Sequence, residues 1–188
     1  VSRIVVAGLD IETTGLEQEK GHRIIEVAVK LYDLTSEALL AEWVQRVNPQ
    51  RSIDPKAQAV HGITFEELSK EPTLEAIAPK LSRILSTINL VVAHNGRSFD
   101  LPFIRAELTR IGQTAPQPTL IDTCEDARWA TPFGKLPNLA ELCFATGVEY
   151  DPTKAHAADY DVDVMMKAFF AARRWGFFPT PETMKAGA

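Results

Sequence analysis

One stretch limits what this chain can fold into: Val5-Val6-Ala7-Gly8-Leu9-Asp10-Ile11-Glu12-Thr13-Thr14-Gly15-Leu16. A short, almost unbroken apolar run reads as a strand buried on both faces. It ends in two acids and a turn-prone Thr-Thr-Gly. Strand side chains repeat with period two, so Asp10 and Glu12 point the same way from its end. Two carboxylates side by side at a buried strand's mouth repel each other and are costly to desolvate. A divalent cation held by oxygen ligands relieves both problems. The remaining chain is read for what such a site still lacks.

Bulk composition narrows the field. Hydrophobic residues make up 45% and charged residues 24% of 188 positions, an ordinary balance for one soluble globular domain with a substantial core. The formal net charge is -5, from 25 acids and 20 bases. A protein that coats DNA is usually basic, so broad electrostatic binding is disfavoured, while an enzyme that meets phosphate through metal ions is not. Cys124 and Cys143 are the only cysteines, too few for a disulfide framework or a zinc cluster. A reducing, cytoplasmic setting is therefore expected. No apolar run reaches transmembrane length, so no membrane partner is expected.

Taken in order, the chain alternates strands and helices. Arg3 to Glu12 reads as the first strand and Thr13 to His22 as a polar loop. Arg23 to Asp33 and Leu39 to Val47 read as strands joined by a short antiparallel hairpin. Ser52 to Ser69 carries helix-like pieces broken around His61-Gly62. Leu74, Ile77, Leu81, Ile84 and Leu85 give Thr73 to Thr87 helical spacing. Leu90 to Ala93 reads as a short strand running into His94-Asn95-Gly96. Phe99 to Ile111 reads as a helix closed by Gly112, and Thr119 to Ile121 as a last strand. Leu136 to Ala145 reads as a helix capped by Asn138 and ended by Gly147. Asp159 to Trp175 reads as the final helix, and the polar end from Pro179 as a loose tail or partner-binding segment. Three strands in meander, then helix, strand, helix, strand and helices predict an α/β fold: a mixed five-stranded sheet flanked by helices.

Further acids stand where elements begin. Asp100 opens a helix, where the dipole and free N–H groups favour a carboxylate, so it serves equally as a first-turn acid. Asp161 lies in the last helix; Asp159 and Asp163 compete with it, and helical phase alone does not separate the three. His156 precedes Asp161 by five residues. Within one helix that spacing would set the side chains roughly 140° apart. They share a site only if His156 belongs to the loop ahead of the helix. Imidazole is the side chain whose ordinary titration suits a general base near neutral pH.

These segments carry a resemblance. Asp10-Ile11-Glu12-Thr13-Thr14-Gly15-Leu16, His94-Asn95-Gly96-Arg97-Ser98-Phe99-Asp100 and His156-Ala157-Ala158-Asp159-Tyr160-Asp161 resemble the three exonuclease motifs of the DEDDh family, the DnaQ-like 3′–5′ exonucleases. Val60-His61-Gly62-Ile63-Thr64 resembles a segment between the first two motifs, and Leu136 to Cys143 resembles the helix before the third. The match runs in order from about Ile4 to about Phe170.

The resemblance implies a ribonuclease H-like fold in an exonuclease domain over residues 1–176, with 177–188 as the tail. It implies two divalent metal ions, Mg2+ or Mn2+, with Asp10, Glu12, Asp100 and Asp161 as ligands and His156 as general base. It favours Asp161 over its two neighbours. It points to Thr13, Thr14, Leu16, His61, Asn95 and Phe99 as contacts for the terminal nucleotide, since stacking and wedging suit single strands of any sequence. The implied activity is release of nucleoside 5′-monophosphates from single-stranded or frayed 3′ ends. DNA is favoured over RNA as the nucleic-acid partner, and a DNA polymerase is a candidate protein partner. The competing readings are an RNA-trimming member of the family and a non-catalytic, polymerase-associated module. His22 is expected at the surface, and Trp43, Trp129 and Trp175 in packing roles. The sequence sets no oligomeric state.

Overall fold

The structure is a computed structural model that describes residues 3–178. Five strands form one sheet: β1 (Val5–Thr13), β2 (Ile24–Asp33), β3 (Leu39–Arg46), β4 (Leu90–Ala93) and β5 (Leu120–Asp122). Their order across the sheet is β3-β2-β1-β4-β5. β1, β2 and β3 pair antiparallel, whereas β4 and β5 join parallel to β1. The expected meander plus parallel strands is therefore present, with β1 at its centre.

Six helices cover the sheet: α1 (Pro55–His61), α2 (Phe65–Leu68), α3 (Leu74–Thr87), α4 (Asp100–Arg110), α5 (Leu139–Thr146) and α6 (Ala158–Arg174). Period-two alternation divides β1 between two cores. Ala7, Leu9 and Ile11 pack with Leu74, Leu81, Phe103 and Leu108 on the α3 and α4 side. Val6 packs with Val162, Met166 and Phe169 on the α6 side. Full burial of Phe103 on one face and Phe169 on the other contributes about 1.5–3 kcal/mol each.

Gly8 lets the helix come close. A Cβ built there would lie 2.6 Å from Met166 Cγ and 2.7 Å from Val162 Cγ1. α6 therefore rests almost on the backbone of β1, and the next residues on that face are Asp10 and Glu12.

Local signals explain most element ends. Asn138 accepts from the Glu141 N–H and Gly147 takes a left-handed φ of 71°, the expected cap and stop of α5. Asp54 caps α1 just before Pro55, and Gly62 ends it. The break expected at His61-Gly62 thus divides α1 from α2.

The packed body runs past the expected boundary at 176. Phe177 stacks on Trp129 with ring centroids 4.1 Å apart, and Phe178 is buried beside Phe169. Two aromatic residues gain more from Trp129 than from water. Positions 179–188 of the expected tail lie outside the described residues. Trp43 is partly covered by Lys80, whose Nζ lies 4.6 Å from its ring. Trp175, expected in a packing role, is 55% exposed.

Candidate active site

β1 and β4 end at the same edge of the sheet, where the strand pairing changes from antiparallel to parallel. Such a switch leaves a crevice beyond the carboxyl ends of the strands. A cavity of about 510 Å³ lies there, and its wall includes Asp10, Glu12, Asp100, His156 and Asp161. Three separate parts of the chain bring these groups together. Asp10 and Glu12 leave β1 on the α6 side. Asp100 opens α4, which follows β4 through a tight turn. Asp161 lies in the first turn of α6.

His156 belongs to the loop ahead of α6, because the helix begins only at Ala158. Its φ is 63°, a left-handed conformation that is uncommon for a residue with a Cβ. Its backbone N–H donates to Asp161 Oδ2 at 2.9 Å. Donor atoms of Glu12, His156 and Asp161 all lie within 4.8 Å of one another.

Crowding raises the acids' affinity for protons. Burial pushes the Glu12 carboxyl up to about 8, and Asp161, Glu26 and Asp100 push in the same direction. Burial lifts Asp100 to about 7 against the pull of its own backbone N–H. Asp10 is raised well above the carboxylate range, by burial first and then by Asp100, Glu12 and Asp161. Asp161 is raised by burial, opposed by the His156 N–H. Oδ1 of Asp100 and Oδ1 of Asp161 are buried without a hydrogen-bond partner among the described residues. Buried polar oxygens are almost always satisfied. Converging carboxylates with orphaned oxygens are the donor set that a hard divalent cation requires, so the residues present fit one.

A family model for exonucleases of the RNase T type matches residues 7–169. The chain belongs to the exonuclease family.

Its relatives agree. This exonuclease is 30% identical over 168 residues to the DNA polymerase III subunit epsilon of Rickettsia typhi, covering 87% of the chain and 71% of that protein. It is 30% identical over 156 residues to the 3′–5′ exonuclease DinG of Bacillus subtilis, covering 83% of the chain but only 16% of that protein. By family this is a 3′–5′ exonuclease domain, and the DnaQ-like resemblance of its motifs holds. Among solved structures, exonuclease I superposes with a TM-score of 0.78 at 19% identity, over 92% of this chain and 41% of that one. A zinc-bound complex of E. coli exonuclease I with single-stranded DNA gives 0.78 at 20% identity, over 93% and 41%. These neighbours establish the fold, which is the ribonuclease H-like fold that the motifs implied.

The exonuclease places the expected substrate contacts unevenly. Thr13, Leu16, His61 and Phe99 line the cavity, with Leu16 78% exposed at its rim. His61 Nδ1 accepts from the Ile63 N–H, and burial lowers the imidazole's proton affinity. Thr14 and Asn95 are not part of the cavity wall. Thr14 is buried, its hydroxyl bonded to His22 Nδ1 at 3.1 Å and accepting from the Arg23 N–H at 2.9 Å. It ties the loop to β2 and has little left to offer a ligand. Asn95 takes a left-handed φ of 65° and opens the turn toward α4.

His22, expected at the surface, lies in the wall against Gly15, where a Cβ would come within 2.3 Å of its ring. His94 and Lys56, which the sequence patterns give no role, also line the cavity. Lys56 is the only Lys or Arg in that wall among the described residues. The Asp54-Pro55 helix start was the sequence signal that could have placed it.

Proposed function

We propose that this chain is a metal-dependent 3′–5′ exonuclease. It acts on single-stranded or frayed DNA ends and releases nucleoside 5′-monophosphates. The observation that carries this reading is the convergence of four acids and His156 on one cavity, with one oxygen each of Asp100 and Asp161 unpaired among the described residues. A purely non-catalytic module has no need to bury mutually repelling carboxylates. Asp10, Glu12, Asp100 and Asp161 would hold two divalent ions, Mg2+ or Mn2+. When bound, such ions polarise the scissile phosphate and supply an activated water and a stabilised leaving oxygen.

The chain's own residues do the rest. Four carboxylates keep a site that accepts cations while opposing direct entry of anions. His156 takes the water's proton on an imidazole nitrogen, and the His156 N–H bond to Asp161 keeps that ring beside the carboxylates. Leu16 at the exposed rim and Phe99 in the wall flank the terminal base without reading its identity. The epsilon relatives are subunits of DNA polymerase III by name, and E. coli exonuclease I has been solved with single-stranded DNA. They support DNA as the substrate and a DNA polymerase as the candidate partner.

Matched DNA and RNA oligonucleotides, labelled at the 5′ end and incubated with Mg2+, test the reading. A ladder shortening from the 3′ end, faster for DNA and abolished by EDTA, is the expected result. Preferential RNA trimming would reassign the substrate. No shortening with Mg2+ or Mn2+ would remove the enzymatic reading.

A further inference from the structure

Asp122, the last residue of β5, is completely buried. It is not part of the cavity wall. Its carboxylate is satisfied by backbone. Oδ1 accepts from the N–H groups of Asn95 at 3.0 Å, Cys124 at 2.9 Å and Glu125 at 3.1 Å, while Oδ2 accepts from the Arg97 N–H at 2.9 Å. Hydrogen bonds to an ionised acceptor are roughly twice as strong as neutral ones. Four of them on one carboxylate bind the turn after β4 to the turn after β5.

The turn after β4 is an awkward piece of chain. Asn95 holds a left-handed φ of 65°. A Cβ on Gly96 would lie 2.4 Å from the Ala93 Cβ and 3.7 Å from Asp100 Oδ2. The turn therefore lies directly against the Asp100 carboxylate. It also fixes the residues on either side of Asp100. The Asn95 carbonyl accepts from the Phe99 N–H at 2.9 Å, and the Gly96 carbonyl from the Leu101 N–H at 3.0 Å. On the outside, the Arg97 guanidinium bridges Glu125 and Asp126, and Ser98 donates to Glu125. Asp126 Oδ2 accepts from the Asp122 N–H at 3.0 Å, which closes the arrangement.

We infer that Asp122 is a positioning residue for the metal site: it locks the Asn95-Gly96-Arg97 turn and, through that turn, fixes the Asp100 carboxylate. This rests on the reading of Asp100 as a metal ligand. Groups that orient metal ligands change affinity by about 10–100-fold when removed. A role confined to core stability would lower the melting temperature and leave metal affinity alone.

The experiment is Mn2+ titration calorimetry on the full chain and on Asp122→Asn, Asp122→Ala and Arg97→Gln, with melting temperatures measured alongside. Asp122→Asn keeps one acceptor oxygen but turns an amide toward the Arg97 N–H. Asp122→Asn is expected to bind Mn2+ about 10-fold more weakly, and Asp122→Ala more weakly still. Raising Mg2+ is expected to restore kcat, with KM for the oligonucleotide within about 2-fold of wild type, because the cavity wall is intact. Arg97→Gln loosens the same turn from outside and is expected to lose about 3-fold in Mn2+ affinity; it carries the test with Asp122→Asn should Asp122→Ala not fold. Wild-type affinity in folded Asp122→Asn and Arg97→Gln would overturn the inference. A wild-type protein that binds no divalent ion would instead overturn the metal reading beneath it.

Discussion

The backbone N–H of His156 donates to Asp161 Oδ2 at 2.9 Å, so the loop that carries the imidazole is tied to the helix-borne carboxylate. The two have separable roles. His156→Ala keeps its backbone and should bind Mn2+ nearly as tightly as wild type, while turnover falls by about 10²–10⁴-fold, the usual contribution of a general base. Asp161→Ala should lose metal affinity and turnover together. Calorimetry paired with single-turnover kinetics distinguishes them, and full activity in His156→Ala would exclude the histidine from the reaction.

Stability of the metal-free protein should fall as pH rises from 7 to 9. Glu12 is raised from the usual carboxylate range to about 8 by burial and neighbouring acids. Its folded form holds a proton that the unfolded chain releases in the ordinary carboxylate range, so stability falls with pH from that range upward and levels off once pH has passed about 8. His61 and His94 are lowered by burial and add no slope above the ordinary imidazole range. Glu67 and Glu75, held at about 2, titrate far below this window. A divalent cation should remove the dependence by replacing the proton. Melting curves at pH 7, 8 and 9, with EDTA and with Mg2+, measure this; a metal-free melting point that rises over the interval contradicts it.

Gly8→Ala should cost about 1–3 kcal/mol, because the added methyl overlaps Met166 and Val162 and α6 must retreat from β1. Val162 adjoins Asp161, so the retreat also widens the site. Urea denaturation should show the loss of stability, with metal affinity falling in parallel. Unchanged affinity in a destabilised variant would separate the packing from the site.

Among the described residues, Lys56 is the only Lys or Arg in a wall that holds six acids, Asp10, Glu12, Glu17, Asp54, Asp100 and Asp161. Lys56→Ala should weaken oligonucleotide binding and reduce the slope of log affinity against log salt by about 0.7, the value for one phosphate contact on a single strand. Fluorescence anisotropy over a salt series measures the slope, and an unchanged slope would place the lysine away from the strand.

Much of this architecture was legible before the structure. Buried strands show as apolar runs, and Asn138 with Gly147 marked α5 because capping is local chemistry. Asp10 and Glu12 could be placed on one face because strand period is fixed. The helix start decided whether His156 and Asp161 could meet. It lies at Ala158 rather than Asp159, just past His156 and Ala157. Other parts leave no periodic trace. The irregular turns over Glu125–Ala130 and Pro132–Gly134 have no periodic signature in the sequence, and neither has Asp122, whose partners are backbone groups from two loops. Of the residues that the motifs offer as substrate contacts, Thr14 ties its loop to β2 and Asn95 opens a left-handed turn, both outside the cavity wall. His22 is half-buried rather than free at the surface because Thr14 and Gly15 fold back onto it from the preceding strand end.

All four histidines of the chain, His22, His61, His94 and His156, line the same cavity. Selective isotope labelling of histidine would therefore give a spectrum in which every imidazole signal comes from the site and none from the rest of the surface. Addition of a paramagnetic cation such as Mn2+ should broaden all four resonances, while a diamagnetic one such as Mg2+ should shift them without loss. The protein thus carries its own set of reporters for whatever enters between β1 and α6.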